Sequence, residues 1–353
     1  MAYDIALLPG DGIGPEVVDA SVPVLRAAGR TAGFEIETTR YDWNSERWLE
    51  TGEMMPEDGP DRIRPHDAIL HGAMGHPDVP DVISSREGHI RLRNAFDQYL
   101  NLRPAYLFDG VEGPLAGYEG GEIDILWYRE NSEGEYVDIG GRLARGGESE
   151  LAIQSAVYTR KGVERVARAA FEAATQRDGH VTNVTKSNAL PHGPVFWDEI
   201  VHEVATEYPE VTCEDQFVDA ANMNLVLQPE AFDVVLASNL FSDVLTDLTA
   251  AVTGGIGLAP SANLNPGSTD PDMFEPVHGS APDIAGEGIA NPIAAILSGG
   301  MLFDSFEEEA ASGAIRQAVG DYLADPDAPR TPDRGGQAGT TDVAADIRTR
   351  IED

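Results

Sequence analysis

The chain has 353 residues, of which 42% are hydrophobic, enough for two domains or one large α/β unit with an inserted piece. It carries 24 Lys+Arg against 61 Asp+Glu, a formal net charge of −37. No basic stripe is available to neutralise phosphates, which argues against a nucleic-acid partner. No stretch approaches the roughly 18 apolar residues of a membrane span.

The acids are spread along the whole chain and do not form a tail. This predicts a dense, solvated acidic surface of the kind halophilic cytoplasmic proteins carry. Such a surface repels itself at low salt, and molar salt, with a Debye length of about 3 Å, relieves the repulsion. The expectation is a fold that weakens as salt is removed. Almost all basic residues are arginine; the lysines are Lys161 and Lys186 alone. Cys213 is the single cysteine, which excludes a disulfide framework and a cysteine metal cluster. Met1 to Ile5 lacks a charged n-region followed by an apolar run, so no signal peptide is expected and the protein is expected to be cytoplasmic.

In chain order, Tyr3 to Leu8 reads as a buried strand, followed by Gly10-Asp11-Gly12-Ile13-Gly14-Pro15-Glu16. Pro15 and Glu16 suit the first turn of a helix running to about Gly29. The glycines do not make a Rossmann loop. The last glycine is misplaced, and no acidic residue closes a second strand about 20 positions on. Glu35 to Arg40 reads as a strand, Trp43 to Thr51 as a short helix, and Asp67 to Leu70 as a buried strand. A glycine-rich loop, His71 to Pro77, follows, a candidate binding rim.

Arg91 to Leu102 is expected to be helical and to carry Arg93, with Arg103 just beyond. Ile123 to Tyr128 is a strand delivering Arg129. Three arginines at element ends could clamp a polycarboxylate, since guanidinium matches carboxylate bidentately, or could make surface ion pairs in an acid-rich protein. Gly140 to Gly147 reads as loop, Glu150 to Tyr158 as strand, and Lys161 to Thr175 as an amphipathic helix. His180 to Val184 is a strand ending in Thr185-Lys186-Ser187-Asn188. Lysine, unlike arginine, can lose its proton when partly buried and act as a base. Pro194 to Tyr208 is a further helix, and Gln216 to Asp219 ends a strand.

Phe232 to Ala237 is short, apolar and valine-rich, as a buried parallel strand should be. Leu240, Phe241, Val244, Leu245 and Leu248 then recur at helical spacing. Asp243 and Asp247, four apart, stack on one helix face at the carboxyl end of a strand, where open α/β sheets bind ligands. Two carboxylates one turn apart can share a hard divalent cation, or can simply be a solvated face. Gly254 to Asn265 reads as turn-rich. Glu275 to Pro292 reads as a long irregular segment with too few charges for disorder. Ala294 to Phe303, Glu308 to Leu323 and Val343 to Ile351 read as helices, with a surface loop over residues 325–339.

Six motifs occur in one family's order: Gly10 to Glu16, Asn101 to Pro104, Arg129 to Asn131, Thr185 to Asn188, Asn239 to Asp243, and Glu275 to Asp283. The chain resembles the β-decarboxylating dehydrogenases of the isocitrate and 3-isopropylmalate dehydrogenase family, from about residue 4 to about residue 320. Residues 52–59, Phe96 to Tyr99 and Ala259 to Pro266 are most similar to its tartrate/D-malate branch.

The resemblance implies oxidation of a malate-type 2-hydroxy acid by a nicotinamide cofactor, then loss of the β-carboxylate as CO₂. Arg93, Arg103 and Arg129 would hold the carboxylates. Asp243, Asp247 and the partner subunit's Asp219 would bind Mg²⁺ or Mn²⁺; a K⁺ requirement is left open. Lys186, also from the partner, would take the hydroxyl proton, and Tyr136 would protonate the enol. The cofactor loop maps onto His278, Gly279, Ser280, Ala281, Pro282, Asp283 and Ile284, with Asn291, Ile13 and Asn188. Asp283 would accept the ribose hydroxyls and repel a 2′-phosphate, which favours NAD over NADP. A homodimer with shared sites is implied.

The implied fold is a two-domain α/β unit with a mixed, largely parallel sheet, not Rossmann. Residues 1–100 and 255–353 would form the cofactor-binding domain, and 101–254 the domain with the dimer interface and metal aspartates. The chain departs from the branch at Ser84 to Arg93, where Arg86, His89 and Arg91 stand in place of apolar residues. The competing readings are a 3-isopropylmalate dehydrogenase and a non-catalytic regulatory subunit.

Overall fold

The computed structural model describes residues Met1–Asp353. The chain opens with β1 (Ala2–Gly10), α1 (Gly14–Ala32), β2 (Glu35–Arg40), α2 (Ser45–Thr51), α3 (Gly59–Ile63) and β3 (Ala68–Ala73). Next come α4 (Asp81–Glu87), α5 (His89–Ala95), β4 (Leu100–Tyr106) and β5 (Asp124–Glu130). A hairpin, β6 (Gly140–Leu143) and β7 (Leu151–Gln154), precedes α6 (Arg160–Ala174), β8 (His180–Thr185) and α7 (Gly193–Ala205). Then follow β9 (Thr212–Phe217), α8 (Val218–Leu227), β10 (Val234–Ala237) and α9 (Asn239–Val252). The chain ends with β11 (Pro260–Leu264), β12 (Asp272–Pro276), α10 (Ile293–Ser305), α11 (Glu309–Ala324) and α12 (Thr340–Glu352).

Two compact units emerge. The first holds Met1–Gln98, Leu107–Glu122 and Ala250–Asp353. Its strands run β2-β1-β3-β12-β11; all neighbours are parallel except β11 and β12. Helix α10 is apolar nearly all round and correspondingly buried; α1 and α11 pack on it, and α12 packs on α1 and α11. The second unit holds Tyr99–Tyr106 and Ile123–Thr249, with strands in the order β4-β5-β10-β8-β9. Here β4 and β5 are antiparallel and the rest parallel. Val234 to Ala237 are all buried, as a strand covered on both faces requires. The antiparallel pairs interrupt an otherwise parallel order, so the topology is not Rossmann.

Several elements differ from the sequence reading. The boundaries at 100/101 and 254/255 do not divide the chain cleanly, because Leu107–Glu122 belongs to the first unit. Gly110, at φ 75°, lies so close to Leu323 that a Cβ would come within 2.4 Å of its carbonyl oxygen. The helix expected over Arg91 to Leu102 stops at Ala95, Asp97 turns at φ 47°, and Arg103 lies inside strand β4. The loop expected from His71 begins later, since β3 runs through Ala73. The turn-rich Gly254 to Asn265 contains β11, whose polar residues disguise it. Ser261 donates to the Glu275 carbonyl at 3.1 Å and Asn263 to the Met273 carbonyl at 3.2 Å. Asp219 lies in the first turn of α8, and the strand expected over Glu150 to Tyr158 shortens to β7.

Candidate active site

In the second unit, β5 delivers Arg129 beside Ala237 of β10, and α9 starts two residues after that strand ends. Asn101 of β4 is the cross-strand neighbour of Arg129. This register gathers Arg103, Arg129, Tyr136 and Asp243. The Arg129 guanidinium is buried; its Nε and Nη2 donate to Asn239 Oδ1 at 3.0 and 2.7 Å, and its Nη1 pairs with Asp243. Arg103 donates from Nε to Asn101 at 2.7 Å and from Nη1 to Thr246 at 2.6 Å, with Nη2 3.5 Å from Asp243. The Tyr136 phenol donates to the other oxygen of Asp243 at 2.6 Å.

Burial pushes the Asp243 carboxyl up, but the charges of Arg129 and Arg103, with the Tyr136 hydrogen bond, outweigh it and hold the group at about 2. Burial, with the bond to Asp243, pushes Tyr136 up to about 12, so the phenol keeps its proton at neutral pH. Asp247 lies one turn on, and no hydrogen bond or ion pair within the chain engages its carboxylate. Burial raises its pKa and the Asp243 charge adds to that, against the pull of Arg103.

Lys186 follows β8 and pairs with the exposed Asp219, whose pKa the lysine's hydrogen bond lowers. This pair is separate from Asp243 and Asp247, and no three potential ligand side chains converge within the chain. Asn188 is exposed on the loop after β8.

The remaining predicted residues lie in the first unit. Gly10 and Gly12 have φ of 73° and 56°, and a Cβ on Gly12 would sit 1.9 Å from the Ser280 carbonyl oxygen. The turn is therefore built to bring Ile13 against the 278–284 segment, where its amide donates to the Ser280 carbonyl at 2.8 Å. Asp11 fixes the turn from within, accepting from Ser45 N and Oγ, both at 2.7 Å, and from Gly75 N at 2.8 Å. A cavity of about 680 Å³ opens beside it, lined by Met74 to Asp81 with Gly279, Ser280 and Pro282. His278 is buried and its pKa lowered by desolvation, so the ring is neutral. Ala281 adopts φ 38°, and Asp283 is exposed. Asn291 donates to Asp333 at 2.9 Å, bringing into this group a residue the sequence did not single out.

Arg93 is also in the first unit, where it pairs with Glu275. Glu275 is buried, accepts from Asn263 at 2.8 Å and has His71 Nδ1 at 2.9 Å. Burial would raise this carboxyl; Arg93 and His71 hold it well below the usual range. Arg91 donates to the Glu57 carbonyl at 2.7 Å, and the His89 ring meets His71 edge-on at 5.8 Å. Sequence reasoning gave no role to Asn239, Asn101, Thr246 or Glu275, and named His71 only as the start of a candidate binding rim. The available signal was that three of them, Asn101, Asn239 and Glu275, open motifs of the family.

The chain matches the isocitrate/isopropylmalate dehydrogenase family over residues 4–347. It is 48% identical over 348 residues to the D-malate dehydrogenase [decarboxylating] of Escherichia coli (strain K12), covering 96% of each chain. It is 47% identical over 348 residues to the 3-isopropylmalate dehydrogenase of Thermobifida fusca (strain YX), covering 98% of this chain and 97% of that one. Among solved structures, the isocitrate dehydrogenase from Methylococcus capsulatus superposes with a TM-score of 0.88 at 36% identity, over 99% of this chain and 100% of that one. Fold and sequence together define an oxidative β-decarboxylating dehydrogenase. The chain belongs to the isocitrate/isopropylmalate dehydrogenase family, and its relatives make it an enzyme of the malate type. No helix is long and apolar enough to cross a membrane.

Proposed function

We propose that the chain oxidises D-malate or tartrate with NAD, releasing CO₂ and a 2-oxo acid. The observation that carries this reading is the cluster of Arg103 and Arg129 around Asp243 and Tyr136. Two buried guanidinium groups suit a small dicarboxylate, and a phenol that stays protonated beside them suits proton delivery to an enol.

The partner subunit's Lys186 would take the hydroxyl proton, and the nicotinamide, when bound, would supply the acceptor for the C2 hydride. The C3–carboxylate bond then breaks, its electron pair passes to the enolate, and Tyr136 protonates C3. Arg93, Arg103 and Arg129 grip the carboxylates. The 278–284 segment, Ile13, Asn188 and Asn291 hold the cofactor, and the exposed Asp283 disfavours a 2′-phosphate.

The donor set at Asp243 and Asp247 fits Mg²⁺ or Mn²⁺. Asp243 is held ionised, Asp247 is unengaged, and carboxylate oxygen is the ligand such hard cations take. Asp219 of the partner subunit would complete the set, and the ion supplies Lewis-acid polarisation of the substrate oxygen.

A homodimer is supported by apolar surface on the second unit. Ile139, Leu143, Leu151 and Ile153 on and beside the β6–β7 hairpin are 45–60% exposed, and Met223 and Leu227 of α8 and Val244 of α9 are exposed too. The net charge of −37 supports a halophilic, cytoplasmic protein.

The test is NADH formation with Mn²⁺ in about 2 M KCl, a concentration chosen to screen the surface charge. D-malate, tartrate, 3-isopropylmalate and isocitrate are compared side by side. Preference for D-malate or tartrate supports the reading. Preference for 3-isopropylmalate replaces it with the second reading, which the 47% identical relative favours. Light scattering on the same preparation checks the dimer. A melting temperature independent of KCl would reject the halophilic assignment.

A further inference from the structure

Asn239 opens α9 and is buried, and no role above uses it. Its Oδ1 accepts from Arg129 Nε at 3.0 Å and from Nη2 at 2.7 Å. Its Nδ2 donates to the Glu133 carbonyl at 3.1 Å. A side-chain amide offers two acceptor sites and two donors, and three of these four are engaged here. One turn on, Asp243 takes Nη1 of the same arginine and the Tyr136 phenol. Glu133 lies three residues before Tyr136 on the same loop. The contacts therefore close a ring from Asn239 through Arg129, Asp243 and Tyr136, and back along the loop to Glu133.

The loop is tied in other ways: its Tyr136 ring lies 5.5 Å from the Arg129 guanidinium carbon, and carboxylate bonds shape its backbone. The Glu130 carboxylate accepts from Ser132 N at 2.9 Å, Ser132 Oγ at 2.6 Å and Glu133 N at 2.8 Å. The Glu133 carboxylate accepts from Thr159 N at 2.7 Å. These bonds shape the loop; Asn239 connects its backbone to the Arg129 fork. Residue type matters as well. An amide oxygen accepts both N–H groups without neutralising the guanidinium, whereas a carboxylate would compete with a bound anion for that charge.

We propose that Asn239 is a positioning residue, which locks the Arg129 guanidinium and the Tyr136 loop into one unit so that carboxylate binding and enol protonation are set together. This rests on the roles proposed above for Arg129 and Tyr136.

The test uses full-length Asn239→Ala and Asn239→Asp with NAD and Mn²⁺ in molar KCl. The aspartate variant conserves volume, so it remains informative if the alanine variant folds poorly. In Asn239→Ala, KM for the hydroxy acid is expected to rise about 10- to 100-fold and kcat to fall about 10-fold, since small misplacements of substrate-positioning groups cost rates of this order. KM for NAD should stay within about twofold, because the amide touches none of the cofactor residues. Asn239→Asp keeps the acceptor but loses the donor and adds charge, and it should raise the hydroxy-acid KM at least as much. Amide hydrogen exchange over residues 130–136 should accelerate in both variants.

Unchanged hydroxy-acid KM with unchanged exchange would overturn the proposal, as would a fall in kcat that leaves both KM values and the exchange unaltered. If the wild type turns over none of the four acids, the functional reading fails. The exchange comparison then decides the positioning by itself: faster exchange upholds it and unchanged exchange overturns it.

Discussion

In the first unit Arg93 pairs with Glu275, a buried carboxylate that Asn263 and His71 also hold. In the second unit Arg129 and Arg103 are held largely by neutral groups, Asn239, Asn101 and Thr246, and share the single carboxylate Asp243. The first arrangement pairs one guanidinium with one buried carboxylate, whereas in the second two guanidinium groups share Asp243 and also act on the charge of Asp247. The aspartates follow the same division. Asp243, beside two guanidinium groups, is held at about 2. Asp272, half-buried in the first unit with a backbone N–H from Asn265, is pushed up to about 6 by desolvation. Burial acts on both, and the presence or absence of a guanidinium decides the sign. The lesson is that the second unit's guanidinium groups are held mainly by neutral partners and share one paired carboxylate, while Arg93 has a buried carboxylate of its own.

That contrast can be broken by kinetics. Arg129→Leu should lower kcat/KM about 10³-fold or more, the scale seen when a charge-stabilising arginine is lost. Arg93→Leu should cost less, about 10- to 100-fold, because its charge is already countered. Steady-state assays on the two proteins at matched salt check this, and equal losses would erase the distinction.

Stability should show the reverse order. Glu275→Gln strands Arg93 in a buried site and should cost about 3 kcal/mol. The double variant Arg93→Met/Glu275→Leu should recover most of that loss, since removing both buried charges together is often near neutral. Denaturant unfolding of the single and double variants gives the coupling; additive losses would mean the pair is not the unit.

A further effect concerns pH. The folded-state pKa of Asp272 is raised from 3.8 to about 6, so its stabilising contribution is present below pH 4 and is lost as pH rises through 6. Asp272→Asn keeps an acceptor for the Asn265 amide and removes the ionisation. Above pH 7 it should be more stable than the wild type by up to about 3 kcal/mol, and near pH 4 the two should converge. Melting curves at the two pH values decide it, and a pH-independent difference would place the burial cost elsewhere.

Much of the site was legible because its residues sit at the ends of strongly patterned strands. Arg129 follows an apolar run, Lys186 follows His180 to Val184, and Asp243 and Asp247 recur at helical spacing after Phe232 to Ala237. Strand β11 was not legible. Its Ser261 and Asn263 are buried polar residues satisfied across the pair, which local pattern reads as a turn. The helix expected through Leu102 stopped early for a related reason. Leu100, Leu102 and Ala105 suit a helix face or a strand equally, and pairing with β5 settled the matter.

The sequence by itself determined the family, the order of the main elements and the residue types of the chemistry, because motifs and periodicity are local. Which side chains meet was decided by tertiary structure. The β4–β5 register sets Asn101 opposite Arg129, and helical periodicity on α9 places Asn239 and Asp243 on either side of the same guanidinium. Residues more than 100 positions apart acquire partners through strand register and packing, and those partners decide whether a buried arginine is spent on the fold or left for a ligand.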